Sequence, residues 1–381
     1  MENSTSELDD KIQQISVEID PVIKKQMTDQ LWDSLISVDQ VPFRKDSIVY
    51  FFYRGEASSV TWNGDFNNWG QRSSGTVTGE NIPGTDLWYA RDTFPADSRI
   101  DYKITLNSND WILDPSNPHT QYSGFGPNSE LRMPEWKEEK LNKLNPEAPK
   151  GILSEEQRIN SSELGYVVSY KVYTPPGYGN LENLPVLFVT DGHEYADPRL
   201  GALTIVLDNL LFNKRIEPLL VVLLSPLAQD KEESNRRVDE LGINEDYLSF
   251  FSSELIPVIN EEYKVSNLAE DRAILGTSLG GLNAAYFIFT KPELLGKAAI
   301  QAPAFWFNQE IYSIVRNSKA QDPEIFMSVG TIGDNLNDAR QMKKILLEKK
   351  YSFDYLEVNE GHSWGAWSSQ LDDILIQFYG K

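Results

Sequence analysis

The chain has 381 residues, and its 57 acidic and 35 basic side chains set a formal net charge of −22. At roughly 150 residues per domain this length suggests two domains, and 40% hydrophobic with 11% aromatic residues is a packed rather than a disordered composition. No Lys/Arg-rich run interrupts the acidic background, which argues against a nucleic-acid or anionic-membrane partner, because phosphate binding relies on clustered positive charge. Cysteine is absent, so disulfides, thiolate nucleophiles, Cys-ligated zinc and iron–sulfur clusters are excluded. The start, MENSTSELDDKIQQ, has neither a basic n-region nor an apolar h-region, and no run approaches the ~20 apolar residues that cross a bilayer. As written the chain reads as cytoplasmic, or as periplasmic or secreted if a leader has been removed. It carries no signal for membrane attachment or for a particular oligomeric state.

Residues 1–40 read as a helical segment: between Pro21 and Ile36 the residues Val22, Ile23, Met27, Leu31, Leu35 and Ile36 fall near a helical period, with Asp20 as the cap. Over 41–113 short β-rich runs follow, at Ser47 to Arg54, Ser59 to Asn63, Leu87 to Asp92 and Arg99 to Leu106, broken by NGDFNNWG and IPGTD. That spacing suits a small β-sandwich. Residues 114–150, rich in Pro, Asn, Gly and charge, show no periodic element and read as a surface linker. From 151 to 381 the texture changes. Strand-like runs at Tyr166 to Tyr173, Pro185 to Thr190, Leu219 to Leu224, Asp271 to Gly276, Gly296 to Gln301, Glu324 to Val329 and Phe353 to Val358 alternate with helical patterns at Gly201 to Phe212, Glu245 to Tyr263, Leu282 to Phe289, Leu336 to Lys349 and Gln370 to Tyr379. Apolar strands alternating with amphipathic helices imply a mostly parallel sheet covered on both faces.

The sharpest local signal is DRAILGTSLGGLNAAYF, which sets Gly276-Thr277-Ser278-Leu279-Gly280-Gly281 between an apolar strand and a helix. This is the nucleophile-elbow pattern: small flanking residues let the backbone turn tightly and push the Ser278 hydroxyl out at the carboxyl edge of the sheet. The amide of Leu279, at the helix start, would point at a developing oxyanion. Serine needs a base, and there are three histidines. His119 lies in the irregular DPSNPHTQY, His193 follows an early strand in TDGHEY, and His362, in NEGHSWGAW, follows the last strand-like run, where an α/β hydrolase carries its base. Chain order asks for an acid between serine and base, after the strand Glu324 to Val329. VGTIGDNLNDAR offers Asp334, nearer the strand end, and Asp338, at the start of the next helix, where an acid also suits the dipole; Asp334 is preferred, with a Ser–His dyad or another acid as alternatives. A second oxyanion donor is expected from the TDGHEY loop, where the amide of His193 is the choice against a plain DG turn. Arg237, in SNRRVDEL, is a candidate donor to an anionic or phenolic substrate group and Trp306, in APAFWFN, a candidate stacking face; a surface ion pair and a buried aromatic are the alternatives.

Gly276 to Gly281, the DGHEY loop, Arg237-Val238-Asp239-Glu240-Leu241, ELIPVINEEY and EGHSW together resemble the enterochelin esterase and esterase D group of α/β hydrolases, which includes feruloyl and acetyl-xylan esterases. DQLWDSL, VYFFYRGEASSVTW, GTDLWYARDTFPADSRIDYKI, and DPSNP followed by SELRMPEW resemble the N-terminal domain of enterochelin esterases. VTWNGDFNNWG and YKITLNSNDWILDPSNP are also similar to immunoglobulin-like modules of glycogen-branching enzymes, where Trp62, Trp69 and Trp111 would be sugar-stacking candidates, or simply core. The resemblance implies an immunoglobulin-like β-sandwich preceding an α/β-hydrolase domain, and a serine esterase in which Ser278 attacks, His362 moves the proton, Asp334 orients the imidazole, and Leu279 and His193 hold the oxyanion. Water resolves the acyl-enzyme, so neither metal nor organic cofactor is called for. A siderophore trilactone is the expected substrate; feruloylated or acetylated glycan is the alternative. A carbohydrate-binding protein with an inactive hydrolase domain, and an acyltransferase, are the rivals of another class.

Overall fold

The alternation between Ser47 and Leu106 becomes two antiparallel sheets in the computed structural model, which describes residues 5–37, 41–71, 77–227, 235–319 and 322–381. The chain forms two units: Met1–Glu138 with Thr331–Gly333 and Asn359–Ser363, and the remainder, Glu139–Gly330, Asp334–Val358 and Trp364–Lys381.

In the first unit, helices α1 (Thr5–Val17) and α2 (Pro21–Ile36) precede the strands. The carboxylate of Asp20 accepts from the amides of Val22 and Ile23, and Pro21 fills the first helical position, where its missing N–H costs nothing. Strands β1 (Phe43–Lys45), β2 (Ile48–Arg54), β3 (Val60–Gly64), β4 (Val77–Thr78), β5 (Glu80–Asn81), β6 (Leu87–Thr93), β7 (Arg99–Leu106), β8 (Asp110–Ile112), β9 (Thr120–Ser123) and β10 (Gly126–Arg132) make one sheet of order β1-β2-β6-β5 and a second of order β4-β3-β7-β10-β9, with β8 on β7. The period of two in β2 sorts the two cores. Val49 and Phe51 join Trp62, Ile100, Ile104 and Leu131 from the other sheet, whereas Tyr50 and Phe52 face Leu8, Ile12, Leu31 and Leu35 of the helices. Val22, Ile23 and Ile36, read as part of the apolar helical period, are exposed.

Residues 114–150 are not a linker throughout. β9 and β10 lie inside that stretch, and β10 pairs centrally with β7, Ser129 opposite Tyr102 and Arg132 opposite Arg99. Three of the four buried residues of β10 are Asn128, Ser129 and Glu130, so a buried strand presents no apolar alternation to read. The first unit accordingly extends past position 113 to Glu138.

The second unit holds β11 (Ile152–Leu153), β12 (Gln157–Asn160), β13 (Val167–Thr174), β14 (Val186–Val189), β15 (Leu220–Ser225), β16 (Arg272–Thr277), β17 (Lys297–Gln301), β18 (Glu324–Gly330) and β19 (Phe353–Val358), ordered β11-β13-β15-β14-β16-β17-β18-β19 with β12 on β13. β13 runs antiparallel to β15, and every pairing from β15 to β19 is parallel. Both faces are buried: Ile274 of β16 enters one core cluster while Ala273 and Leu275 enter the other. The connecting helices are α3 (Gly192–Ala196), α4 (Leu203–Phe212), α5 (Arg237–Leu241), α6 (Glu245–Phe250), α7 (Ile256–Glu262), α8 (Leu279–Thr290), α9 (Glu310–Asn317), α10 (Leu336–Lys349), α11 (Trp364–Ser368) and α12 (Leu371–Tyr379). The single helix read over Glu245 to Tyr263 is α6 and α7 joined through a π-helical turn, Phe251–Leu255.

Candidate active site

Ser278 stands between β16 and α8 with φ 57° and ψ −116°, a conformation that side-chain-bearing residues rarely adopt. Its neighbours explain how the turn is tolerated. A Cβ on Gly276 would lie 2.2 Å from the carbonyl oxygen of Gly280, and a Cβ on Gly280 would lie 2.3 Å from Oγ1 of Thr190, so neither position accepts a side chain. The Ser278 amide donates to the carbonyl of Gln301 (3.0 Å), and the Ser278 carbonyl accepts from Leu282 and Ala304. Gln301 is fixed in turn by Tyr195, whose hydroxyl donates to Oε1 at 2.9 Å. Leu279 opens α8, and its amide therefore belongs to the first turn, whose N–H groups have no intrahelical acceptor.

Asp334 follows β18 directly. Its Oδ2 accepts from the Gly330 amide at 2.7 Å and its Oδ1 from the Asn335 amide at 2.6 Å, while the Asn335 side chain donates to the carbonyl of Ala302. Asp338 lies in the first turn of α10, and its carboxylate accepts from the Tyr312 hydroxyl at 3.0 Å. His362 is half-buried four residues beyond β19, in the segment Asn359–Ser363 that belongs to the first unit. There Arg99 and Glu360 form a parallel bridge, with the Arg99 amide donating to the Asn359 carbonyl at 3.2 Å. His119 lies in the first unit between β8 and β9.

The TDGHEY stretch is not a loop: Gly192 begins α3, and His193 is its second residue. Gly192 is required by packing, since its Cβ would lie 2.4 Å from the carbonyl carbon of Leu223 on β15. The Nδ1 atom of His193 is buried without a hydrogen-bond partner among the described residues, and burial lowers the imidazole pKa. Arg237 is held by Asp191, which is 1% exposed and left-handed: Nε lies 2.8 Å from Oδ1 and Nη2 2.8 Å from Oδ2, and Nη2 also reaches the Thr277 carbonyl at 3.4 Å. The sequence reading singled out the His193 amide and passed over Asp191, although Asp191 lies in the same TDGHEY stretch. Trp306 is 58% exposed and meets Phe307 edge-on, so it is not a core aromatic. Of the three tryptophans flagged in the first domain, Trp62 is core, whereas Trp69 and Trp111 lie 6.5 Å apart with Trp111 exposed. Among the described residues no group of three His, Asp or Glu side chains is arranged to hold a metal.

A sheet of this strand order, parallel from its third strand onward, with a strand–Gly-X-Ser-X-Gly–helix turn at its centre, defines a carboxylic ester hydrolase of the α/β-hydrolase type. The chain belongs to the Esterase family, whose model matches residues 161–378, more than half of its length. The iron(III) enterobactin esterase of Escherichia coli O6:H1 is 27% identical over 288 residues, 70% of this chain and 67% of that protein. The endo-1,4-beta-xylanase/feruloyl esterase of Xylanibacter ruminicola is 27% identical over 161 residues, 40% of this chain and 22% of that protein. The enterobactin esterase FES from Shigella flexneri has the same fold, with TM-score 0.72 at 21% identity, covering 88% of this chain and 94% of its own.

Proposed function

We propose that the protein is a serine carboxylic-ester hydrolase with Ser278 as nucleophile, His362 as base and Asp334 as the acid that orients it. Ser278 attacks the ester carbonyl as His362 takes its proton. The tetrahedral oxyanion is held by the Leu279 and His193 amides, the proton is returned to the leaving alcohol, and water releases the acyl group by the same steps in reverse. The observation that carries this reading is the strained Ser278 turn with side-chain-free Gly276 and Gly280 around it. Asp334 is favoured over Asp338 because it stands in the turn directly after β18, whereas Asp338 lies within α10 and is bonded by Tyr312. Arg237, committed to Asp191, serves to fix that wall of the site, and exposed Trp306 offers the aromatic stacking face.

For substrate we infer a siderophore trilactone. The supporting likeness to the enterobactin esterases extends over 70% of this chain in sequence and 88% in structure, more than the catalytic unit alone, whereas the likeness to feruloyl esterases covers 40% in sequence and 61% in structure. The two-sheet first domain is read as an immunoglobulin-like sandwich within the same substrate framework. The test compares kcat/KM on a cyclic catecholate trilactone, a feruloylated oligosaccharide and an acetylated xylo-oligosaccharide, for the natural protein and Ser278→Ala. The expected result is trilactone preference and a kcat loss of roughly 10⁴ to 10⁶ in the variant, with melting unchanged. Near-normal turnover by Ser278→Ala overturns the mechanism; a feruloyl or acetyl preference overturns the substrate.

A further inference from the structure

Both chain neighbours of His362 meet buried side chains of the first unit: Ser363 is bonded by Arg99 of β7, and Gly361 packs on Asp65, in the single helical turn that follows β3. Arg99, at the start of β7, is 1% exposed. Its Nε donates to Glu130 of β10 and its Nη2 to Oδ1 of Asp101 at 2.6 Å. These two carboxylates fix the plane of the guanidinium from within the sheet, and a planar fork held on two edges points its third in one direction. That third edge addresses the His362 segment: Nη1 donates to Oγ of Ser363 at 2.9 Å and lies 3.8 Å from Oε2 of Glu360. Burial opposes the charge on Arg99, but Asp101, Glu130 and Glu360 outweigh it and keep the guanidinium protonated.

On the other side of His362, a Cβ on Gly361 would lie 1.9 Å from Oδ2 of Asp65, which is itself 2% exposed and accepts from the Asp101 amide at 3.0 Å. Only glycine fits against that carboxylate. Asn359 is held through both its carbonyl, by the Arg99 amide, and its side chain, which donates to Asp97 at 2.8 Å. The segment preceding Asp334 is seated on the same residues. Ile332 donates its amide to the Glu360 carbonyl at 3.2 Å, and Gly333, at φ +64°, has room for no Cβ because the Asp65 carbonyl oxygen would stand 1.9 Å away.

We propose that Arg99, with Asp65, is a positioning device for the base: the first domain's buried polar sheet face sets where His362 stands, and so acts on the chemical step through His362 without touching substrate. The inference rests on His362 being the base. A buried ionic cluster is a weak source of stability compared with an apolar one, but it has direction, and direction is what a loop carrying a base requires. A misplacement of about 1 Å at a catalytic group costs on the order of 10² in rate.

The test is a double-mutant cycle in the full-length protein with p-nitrophenyl acetate, whose small size leaves remote substrate contacts out of the measurement. Arg99→Lys keeps the charge and loses the fork; it is expected to lower kcat roughly 30- to 100-fold with KM within about 2-fold, and Ser363→Ala to lower it roughly 3- to 10-fold. In a His362→Ala background both substitutions should be silent to within about 2-fold, because a group that acts through His362 has nothing left to act on. Undiminished kcat in folded Arg99→Lys, or the same loss with and without His362, overturns the proposal; the second outcome marks Arg99 as structural only. If Arg99→Lys does not fold, Ser363→Ala runs the same cycle with the same deciding outcomes. Full activity in His362→Ala would instead remove the base assignment itself, whereas loss there with no loss in the Arg99 and Ser363 variants would sink this inference alone.

Discussion

The central strands of the two large sheets bury opposite chemistry. β16 of the catalytic sheet buries Ala273, Ile274 and Leu275 against apolar clusters on both faces, with its polar residues Arg272 and Thr277 at the two ends. β7 of the six-stranded sheet buries Arg99 and Asp101 beside Ile100 and Tyr102, and its neighbour β10 buries Asn128, Ser129 and Glu130. The first arrangement makes a stiff platform from whose carboxyl edge Ser278 and Asp334 emerge. The second makes a directional surface on which the segments before Asp334 and around His362 are seated. Apolar burial supplies cohesion without direction, and paired buried charge supplies direction at the cost of desolvation.

The largest effect expected on the platform side separates the two aspartates after β18. Asp334→Asn should lower kcat by about 10⁴, the scale seen when an imidazole loses its orienting carboxylate, while Asp338→Asn should cost less than about 10-fold. Steady-state kinetics with p-nitrophenyl acetate reads both, and a reversed ranking moves the role to Asp338. On the polar side, Glu130→Ala leaves Arg99 and Arg132 without a shared partner and should destabilise the protein by about 3–5 kcal/mol in denaturant titration. A loss below about 1 kcal/mol would erase the contrast drawn between the sheets.

Packing at the serine turn comes next in size. Gly276→Ala forces a Cβ onto the Gly280 carbonyl and should cost about 1–3 kcal/mol together with most of the activity, whereas unchanged melting would mean the turn is looser than its geometry. The smallest effect concerns Glu240, whose carboxyl is pushed up to about 7 by burial and accepts from the Tyr166 hydroxyl at 3.0 Å. A carboxyl raised in the folded state holds its proton there while the unfolded chain has already released it. Its contribution to stability therefore falls as pH rises from about 4.5 through about 7. Glu240→Gln should melt like the natural protein near pH 5 and higher than it near pH 8, by on the order of 1 kcal/mol. Parallel melting curves across that range would remove the titration from Glu240.

Legibility followed the same division. The run Glu324 to Val329 falls one residue short of β18, because a parallel strand covered on both faces writes itself as a largely apolar run. Phe353 to Val358 is β19 residue for residue although it is an edge strand with no buried residue, readable from its aromatic and aliphatic residues. The Ser278 turn was equally readable, since close backbone approach leaves glycines at fixed offsets. β10 was invisible because its buried residues are polar. α3, α5 and α11, at five residues each, are too short to establish a period. The seat of the His362 segment could not be read at all: Arg99 and Ser363 are 264 positions apart, and neither carries a local pattern that names the other.

That separation has a consequence for biosynthesis. Met1–Glu138 is translated long before Asn359–Ser363, yet the two form one unit. While the ribosome is still producing the intervening residues, the Arg99 edge that will receive Ser363 and the carboxylate that will receive Gly361 have only solvent to bind. The amino-terminal sheet therefore cannot complete its polar order until residues 359–363 have been made.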